Sequence, residues 1–212
     1  MKLALDLDGT LITCEPRQST VLAAALAARR LTANIVHVWE FKRAGASTEE
    51  GLVAAGLSHA NAREVANDWR RMIEESEWLA LDRVIPGVRH TLENMRGMSM
   101  KLTLLTARGR QEWLPQQLRR LDLARFFDVI AVVSPERASA EKAWRLADES
   151  IEAFFGDTES DWRAASQTGV TFYAVATGQR ERSFLTQVCG VRAYEDLAEA
   201  WSEFRLRLTG QD

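Results

Sequence analysis

The sequence is poor in cysteine, has no long apolar run and shows no excess of basic residues. Its two cysteines, Cys14 and Cys189, form no spacing motif, so we expect a reduced, cytoplasmic protein. No stretch approaches the roughly 18 to 20 apolar residues that a membrane span needs. Asp6 and Asp8 interrupt the apolar start of the chain, which argues against a signal-peptide core. We therefore predict a protein with no membrane partner.

The basic residues do not indicate a nucleic-acid-binding surface, and the histidines do not indicate a metal site. The chain has 27 lysines and arginines against 30 acidic residues, a formal net charge of −3. Because domains that bind nucleic acids usually carry a basic surface, we predict no nucleic-acid partner. His37, His59 and His90 show no metal-ligand spacing and suit ordinary surface or helix positions. We find no internal repeat and no low-complexity tract, so a globular protein is the expectation.

Five short apolar runs are typical of buried parallel strands. They are KLALDLD from Lys2, MKLTLLT from Met100, DVIAVV from Asp128, IEAFFGD from Ile151 and TFYAVAT from Thr171. Helical patterns accompany them over residues 87–98, 110–121, 139–147, 160–167 and 194–208. Strands that alternate with helices predict an α/β fold, a Rossmann-like parallel five-stranded sheet with helices on both faces.

Residues 13–84 break this alternation, because they contain helix signals and no convincing strand. The signals are a capping box at Ser47-Thr48-Glu49-Glu50, a cap at Ser58 before a helix that runs to about Glu77, and a helical pattern from Thr20 to Arg30. We therefore predict an α/β core domain of residues 1–12 and 85–212, interrupted by an all-helical domain of residues 13–84.

Polar residues follow three of the predicted strands at their carboxyl ends, where ligands bind in an open parallel sheet. They are Asp6, Asp8 and Gly9 after the first strand, Thr106 and Arg108 after the second, and Asp157 and Asp161 after the fourth, with Lys142 in the helix before the fourth strand. Parallel strands end at one edge of the sheet. The sequence therefore predicts one site that contains all of these residues.

The carboxylates of this predicted site would repel one another. Like charges at short distance raise each other's pKa unless a cation joins them. A hard, oxygen-liganded ion such as Mg²⁺ suits such a site, because it uses few carboxylates and completes its shell with water and phosphate. We predict Mg²⁺ as the cofactor.

The other residues of the predicted site suit a phosphate group. Lys142 would supply positive charge and the hydroxyl of Thr106 a donor. Gly9 lets the backbone turn so that amide N–H groups can face an oxyanion. A carboxylate in such a site can act as a nucleophile through an aspartyl-phosphate. Arg108, in the loop after Thr106, is a candidate contact for the substrate.

These motifs resemble those of a known family. DLDGT at Asp6, Thr106 after LTLL, Lys142, and GDTESD at Gly156 are similar to the four ordered motifs of the haloacid dehalogenase-like (HAD) hydrolase superfamily. Residues 13–84 resemble the α-helical cap that some members insert after the first motif. Pro86-Gly87-Val88 and the late strand and helix resemble phosphoglycolate-phosphatase-like members. The resemblance covers essentially the whole chain.

The resemblance implies a role for each residue. Asp6 would be the nucleophile, and Asp8 would protonate the leaving oxygen and later deprotonate the attacking water. Thr106 would bind a phosphoryl oxygen and Lys142 would neutralise charge. The implied metal ligands are Asp6, the backbone carbonyl of Asp8, Asp157 and, in support, Asp161. Two positions depart from the family pattern: Thr13 stands where relatives often have an acid, and no proline follows Lys142.

The implied activity is Mg²⁺-dependent hydrolysis of a small phosphorylated metabolite. A phosphomutase or phosphotransferase would use the same aspartyl-phosphate and differ only in the acceptor. A non-catalytic HAD-like binding module is the other alternative, since a fold does not determine chemistry. A dehalogenase would need the first aspartate but neither Asp8 and Gly9 nor the full metal set, so this interpretation is disfavoured.

Overall fold

The computed structural model describes residues 1–210, which contain a six-stranded sheet whose paired strands are all parallel. The strands are β1 (Lys2–Leu5), β2 (Lys101–Ala107), β3 (Val129–Val133), β4 (Ala153–Gly156), β5 (Thr171–Val175) and β6 (Ala193–Tyr194), in the spatial order β3-β2-β1-β4-β5-β6. The five predicted strands are confirmed as β1–β5. The prediction of five strands in all was wrong, because β6 has only two residues and is too short to produce a pattern.

Helices cover both faces of this sheet. In the α/β part they are α6 (Val88–Gly97), α7 (Leu114–Arg120), α8 (Ala138–Asp148), α9 (Glu159–Thr168), α10 (Arg182–Cys189) and α11 (Leu197–Thr209), with short 3-10 turns at Gln111–Trp113, Ala124–Phe126 and Pro135–Arg137. Five further helices precede α6 in the chain. All but α10 were predicted within a few residues of their observed bounds.

Successive side chains of each strand point to opposite faces of the sheet, which explains why an apolar core lies on each face. In β1, Leu3 and Leu5 pack into a core beneath α6, α7 and α11, whereas Ala4 faces the opposite core beneath α8 and α9. Phe155 and Phe154 divide in the same way in β4. Strands buried on both faces are apolar at every position, which is why their runs are continuous in the sequence.

Between β1 and α6 the described chain contains helices and no strand. They are α1 (Glu15–Ala28), α2 (Ile35–Arg43), α3 (Thr48–Ala54), α4 (His59–Met72) and α5 (Ser76–Leu79), and we call them the cap helices. They share an apolar core of their own, to which Leu22, Val38, Leu52 and Val65 contribute. The division of the chain into two domains at residues 12 and 85 stays a prediction.

The predicted caps are present, but one helix is shorter than predicted. Ser47 forms the capping box with Glu50, and the Ser58 side chain accepts a hydrogen bond from the Asn61 N–H. The helix from Ser58 was predicted to reach Glu77 and ends at Met72. The reason is visible at Ile73, whose carbonyl accepts a hydrogen bond from the Arg17 guanidinium at 2.9 Å instead of continuing the helix.

The chain leaves and re-enters the α/β part through two segments that lie side by side. Thr13 N–H donates to the Arg83 carbonyl at 2.8 Å, and Ile85 N–H donates to the Leu11 carbonyl at 3.0 Å. The cap helices therefore lie at the carboxyl end of β1. Within residues 1–210, none of the helices is both long enough and apolar enough to cross a membrane.

The strand order locates the functional edge of the sheet. The chain order reverses next to β1, which lies between β2 and β4. In open α/β sheets the crevice at such a switch point, outside the carboxyl ends of the strands, is where ligands bind. Asp6 extends this pairing beyond β1, since its N–H donates to the Phe155 carbonyl of β4 at 2.9 Å.

Candidate active site

One buried lysine joins two of the predicted carboxylates. Lys142 lies in α8, and its ammonium group donates to Oδ1 of Asp6 at 2.7 Å and to Oδ1 of Asp161 at 2.6 Å. All three side chains are buried. The sequence separates these residues widely, but α8 and α9 pack side by side on one face of the sheet beneath β1 and β4. The structure therefore brings together the predicted nucleophile, the predicted lysine and one predicted metal-supporting residue.

Burial and charge act in opposite directions on this cluster. Burial raises the pKa of Asp6 to about 7, and the Asp161 and Asp8 charges add to this effect, whereas Lys142 opposes it. Burial also favours the neutral amine of Lys142, but the charges of Asp161 and Asp6 outweigh it and raise the pKa of Lys142 above its usual range. Lys142 therefore stays charged, and it is the main protein group that keeps Asp6 ionised.

Asp157 completes an acidic cluster with the chemistry of a cation site. Asp6, Asp157 and Asp161 each offer a carboxylate oxygen, and these oxygens lie within 4.8 Å of one another. Oδ2 of Asp157 accepts a hydrogen bond from Gln179 N–H at 2.6 Å, but its buried Oδ1 has no partner among the described residues. Burial, together with the charges of Asp6 and Asp161, raises the pKa of Asp157 well above its usual value.

This orphaned oxygen is the observation that tests the predicted metal. A buried carboxylate oxygen without a partner is costly, and a hard divalent cation is the partner that removes the cost. The donor set is entirely carboxylate oxygen, which suits Mg²⁺ rather than a softer metal. The residues therefore fit the predicted ion, and Asp6, Asp157 and Asp161 would hold it.

The side chain of Asp8 does not join this cluster. Its carboxylate accepts hydrogen bonds from Arg17 on one oxygen and from Arg108 on the other. Burial disfavours the charged form of Asp8, but Arg108 and Arg17 outweigh burial and hold its pKa well below the usual range. The predicted metal role of Asp8 concerns its backbone carbonyl and stays a prediction.

Arg17 is anchored from behind by a second acid. Its Nε donates to Oδ1 of Asp82 at 3.0 Å, and the Gln117 amide donates to Oδ2 of Asp82 at 2.7 Å. Asp82 is completely buried, and burial raises its pKa to about 6 against the opposing charge of Arg17. The chain Asp82–Arg17–Asp8–Arg108 is therefore a continuous ion-pair network that crosses from the cap helices to the α/β part.

Thr106 and Gly9 lie at the same edge of the sheet as the acidic cluster. Thr106 is buried near the end of β2 and lines a crevice of about 250 Å³ with Asp6, Asp8 and Lys142. Gly9 has φ +76°, and a Cβ on it would lie 2.3 Å from Oδ2 of Asp157. Only glycine suits this position, because the turn and the close approach both exclude a side chain.

Arg108 borders a second and larger cleft between the cap helices and the α/β part. The cleft has a volume of about 530 Å³, and five arginines line it: Arg17, Arg70, Arg71, Arg108 and Arg110. Trp69 lines it as well, and Asp8, Glu74 and Glu136 are its acidic members. The Arg108 side chain is only 4% exposed, and its Nε and Nη2 have no hydrogen-bond partner among the described residues. This guanidinium therefore has donors left for an anion.

Several residues of the site were not predicted from the sequence. Arg17, Asp82 and Gln179 have no motif around them, and each acts through a contact with a distant segment. Only the burial of a charged residue distinguishes Arg17 and Asp82, and burial cannot be read from a helical pattern alone. The GDTESD motif also contains the sequence signature of a helix start, since Thr158 and Asp161 form a capping box. This capping box orients the Asp161 carboxylate.

Known proteins resemble this chain in sequence and in fold. A family model described as haloacid dehalogenase-like hydrolase matches residues 3–175. A phosphoglycolate phosphatase of Pseudomonas syringae pv. tomato is 28% identical over 193 residues, a match that covers 83% of this chain and 69% of that protein.

Several solved structures have the same fold as this chain. A haloacid dehalogenase-like family hydrolase from Streptococcus pneumoniae superimposes with a TM-score of 0.76 at 20% identity, over 96% of this chain and 97% of that one. A predicted phosphoglycolate phosphatase from Haemophilus somnus superimposes with a TM-score of 0.70 at 19% identity, over 98% and 96%. At these identities the likeness shows the architecture, cap helices included, and not a substrate.

Proposed function

The chain belongs to the haloacid dehalogenase-like hydrolases, and from this premise we propose that it is a Mg²⁺-dependent phosphatase of a small phosphorylated metabolite. The observation that carries the proposal is the buried cluster in which Lys142 bonds to Asp6 and Asp161 while an oxygen of Asp157 has no partner within residues 1–210. A nucleophile, a cation and a vacant ligand oxygen at one crevice suit phosphoryl transfer, where positioning and electrostatics supply most of the catalysis.

Asp6 is the proposed nucleophile. Its free carboxylate oxygen attacks phosphorus, the bond from phosphorus to the ester oxygen breaks, and the phosphoryl group stays on Asp6 as an aspartyl-phosphate. Water then attacks the same phosphorus, and inorganic phosphate leaves with regeneration of the Asp6 carboxylate. Lys142 keeps Asp6 ionised before the attack and offsets the negative charge that the phosphoryl oxygens bring to the crevice.

Asp8 is the proposed acid and base. Once released from Arg17 and Arg108 it takes up a proton, which it donates to the leaving ester oxygen in the first step, and it accepts a proton from the attacking water in the second. Thr106 lines the same crevice and donates its hydroxyl to a phosphoryl oxygen. When bound at Asp6, Asp157 and Asp161, Mg²⁺ would supply positive charge beside the phosphoryl group.

The leaving group lies, in this proposal, in the larger cleft and carries a negative charge. Arg17 and Arg108 already bind a carboxylate there, that of Asp8, and two further nitrogens of Arg108 have no partner in the described part of the chain. An anionic group on the substrate would compete with Asp8 for these arginines and so free Asp8 for proton transfer. The relative from Pseudomonas syringae, named phosphoglycolate phosphatase, makes 2-phosphoglycolate the first ester to test.

The decisive experiment compares the wild type with Asp6→Asn. The wild type is expected to release inorganic phosphate from an aryl phosphate and from 2-phosphoglycolate when Mg²⁺ is present and not after chelation. Asp6→Asn removes the nucleophile, so release should fall on the order of 10⁴-fold or more. Asp148→Asn is the matched control, because Asp148 is an exposed residue at the end of α8.

Two outcomes would overturn the proposal. Undiminished turnover by Asp6→Asn would show that Asp6 is not the nucleophile. Transfer of the phosphoryl group to an added sugar hydroxyl, without release of inorganic phosphate, would show a phosphotransferase instead of a phosphatase. Both phosphate pools are measured in the same reaction, so the two results are separable.

A further inference from the structure

A six-residue loop between β5 and α10 contacts the proposed metal site and a cap helix at the same time. This loop, residues 176–181, is Ala-Thr-Gly-Gln-Arg-Glu, and we call it the bridging loop. The motifs described above do not include it. Each of its residues takes part in a contact either with the first and fourth motif segments or with the carboxyl end of α2.

On one side the bridging loop holds the acidic cluster. Gln179 N–H donates to Oδ2 of Asp157 at 2.6 Å, and the Thr177 hydroxyl donates to the Gly9 carbonyl at 2.5 Å. Gly178 lies against both residues, since a Cβ on it would be 1.9 Å from Oδ2 of Asp157 and 2.6 Å from the Gly9 Cα. The bridging loop therefore sets which way the Asp157 carboxylate faces.

On the other side the bridging loop holds the end of α2. Arg180 Nη1 donates to the Lys42 carbonyl at 2.6 Å, and Glu181 N–H donates to the Arg43 carbonyl at 3.0 Å. In return, Arg43 Nη2 donates to the Ala176 carbonyl at 2.9 Å. The last carbonyls of a helix lack partners within it and carry partial negative charge, so a guanidinium and an N–H are suitable partners.

Arg180 also contacts the helix that carries Asp161. Its Nε and Nη2 donate to the two carboxylate oxygens of Glu159 at 2.8 and 3.0 Å, a bidentate pair. Glu159 is the first residue of α9, between Asp157 and Asp161 in the chain. Both side chains are largely buried, at 13% and 16% exposed. One guanidinium thus joins the end of α2 to the start of α9.

We propose that the bridging loop couples the seating of α2 to the alignment of the metal ligands, with Arg180 and Arg43 as positioning residues. The inference rests on the metal site of the proposed function. The loop is short and held at every residue, so α2 cannot leave it without releasing the loop, and with it the N–H that orients Asp157. Movement of α2 away from the core therefore weakens metal binding, and by linkage metal binding holds α2 in place.

The test is the affinity for Mg²⁺ of Arg43→Gln and Arg180→Gln, measured by calorimetry without substrate. Partners that orient ligands typically change metal affinity by about 10- to 100-fold, so we expect Kd to rise about 10-fold in both variants. The Arg43 side chain donates to the Ala176 carbonyl of the loop, so we expect a change there to act through the loop. Arg180→Lys keeps the charge without the bidentate fork and should lie between the wild type and Arg180→Gln.

Arg182→Gln is the control, because Arg182 is half exposed on α10 and pairs only with Glu195 and Glu199 in the described chain. It should bind Mg²⁺ like the wild type. Circular dichroism checks that each variant is folded before titration. Wild-type affinity in a folded Arg43→Gln would overturn the coupling. A wild type that binds no Mg²⁺ would instead overturn the metal site itself, and with it the coupling, whereas absence of phosphatase activity alone would leave the binding result intact.

Discussion

The ammonium group of Lys142 lies 2.7 Å from the carboxylate of Asp6, although the two residues are 136 positions apart in the chain. This contact decides the charge of the proposed nucleophile. Burial raises the pKa of Asp6 to about 7, and only an ionised carboxylate attacks phosphorus. Lys142 is itself held by Asp161 at 2.6 Å, so the cation has a defined position.

Replacement of this lysine should therefore destabilise the fold as well as the site. In Lys142→Gln, Asp6 and Asp161 keep their burial and lose their cation, and loss of one partner of a buried ion pair costs about 3 kcal/mol. We expect the free energy of unfolding in urea at pH 7.5 to fall by about this amount. Lys101→Gln is the control, because Lys101 is exposed. A loss no greater than that of the control would show that Lys142 is not the cation on which the cluster depends.

Addition of Mg²⁺ should stabilise the protein through the orphaned oxygen of Asp157. At a concentration 100 times Kd, a ligand that binds only the folded state adds about 2.7 kcal/mol, which raises the Tm of a protein of this size by roughly 5 to 10 °C. Asp157→Asn should lose this gain and, without metal, be as stable as the wild type or more so, because burial beside Asp6 and Asp161 disfavours the ionised carboxylate and the amide is neutral. A Tm of the wild type that is insensitive to Mg²⁺ would contradict the site.

Two nitrogens of Arg108 have no hydrogen-bond partner among residues 1–210, which leads to a prediction about the substrate's charge. Hydrogen bonds to charged groups contribute about 1.5 to 3 kcal/mol, so Arg108→Gln should lower the kcat/KM ratio of 2-phosphoglycolate to ethyl phosphate by about 10-fold or more. Arg125→Gln, an exposed arginine outside the cleft, should leave this ratio at its wild-type value. Equal losses for both esters in Arg108→Gln would mean that the arginine does not read the leaving group.

Lys42, in the cap helices, leads to a prediction about how the stability of the protein depends on pH. Its ammonium group is buried against the Trp69 ring and bonds to Gln18 and to the Thr48 hydroxyl, and no carboxylate of the described residues pairs with it. Burial lowers the pKa of Lys42 to about 7, below its ordinary value of about 10.4. Between these two pH values the unfolded chain binds more protons than the folded one, so stability that depends on Lys42 rises with pH.

The measurement is the free energy of unfolding of the wild type minus that of Lys42→Met, from pH 6 to pH 10. The difference should be constant below about pH 7 and then increase, by about 4 kcal/mol at pH 10. The subtraction removes the titration of all other groups. A difference that is flat across this range would show that Lys42 stays charged in the folded protein.

The sheet and most of the site could be predicted because both depend on local pattern. Parallel strands buried on both faces give unbroken apolar runs, and their carboxyl ends share one edge. Asp6, Thr106 and Asp157 follow such runs directly, so their proximity required only the order of the strands. The two-residue β6 is too short to produce a recognisable pattern, and the eight-residue α10 was not predicted.

Other residues of the site could not be predicted, since their partners belong to distant segments. Arg17 meets Asp8 and Asp82 only because α1 packs over the end of β1 and beside the returning chain. The bridging loop has the composition of an ordinary turn, and its contacts with α2 depend on how the cap helices are seated. A pattern in the sequence records neither distance nor orientation between separately folded elements.

The sequence by itself determined the α/β alternation and the helical character of the cap helices, because both follow from the periodicity of apolar residues. It also determined the set of acids, lysine and threonine that suits phosphoryl chemistry, because most of these residues lie next to a strand end in the sequence. Only the tertiary structure decided that Asp8 is bound by two arginines, that an oxygen of Asp157 has no partner among the described residues, and that one loop joins the acidic cluster to α2. The arginine and loop contacts are hydrogen bonds of 3 Å or less between different elements of the fold, and the packing of those elements decides which groups meet.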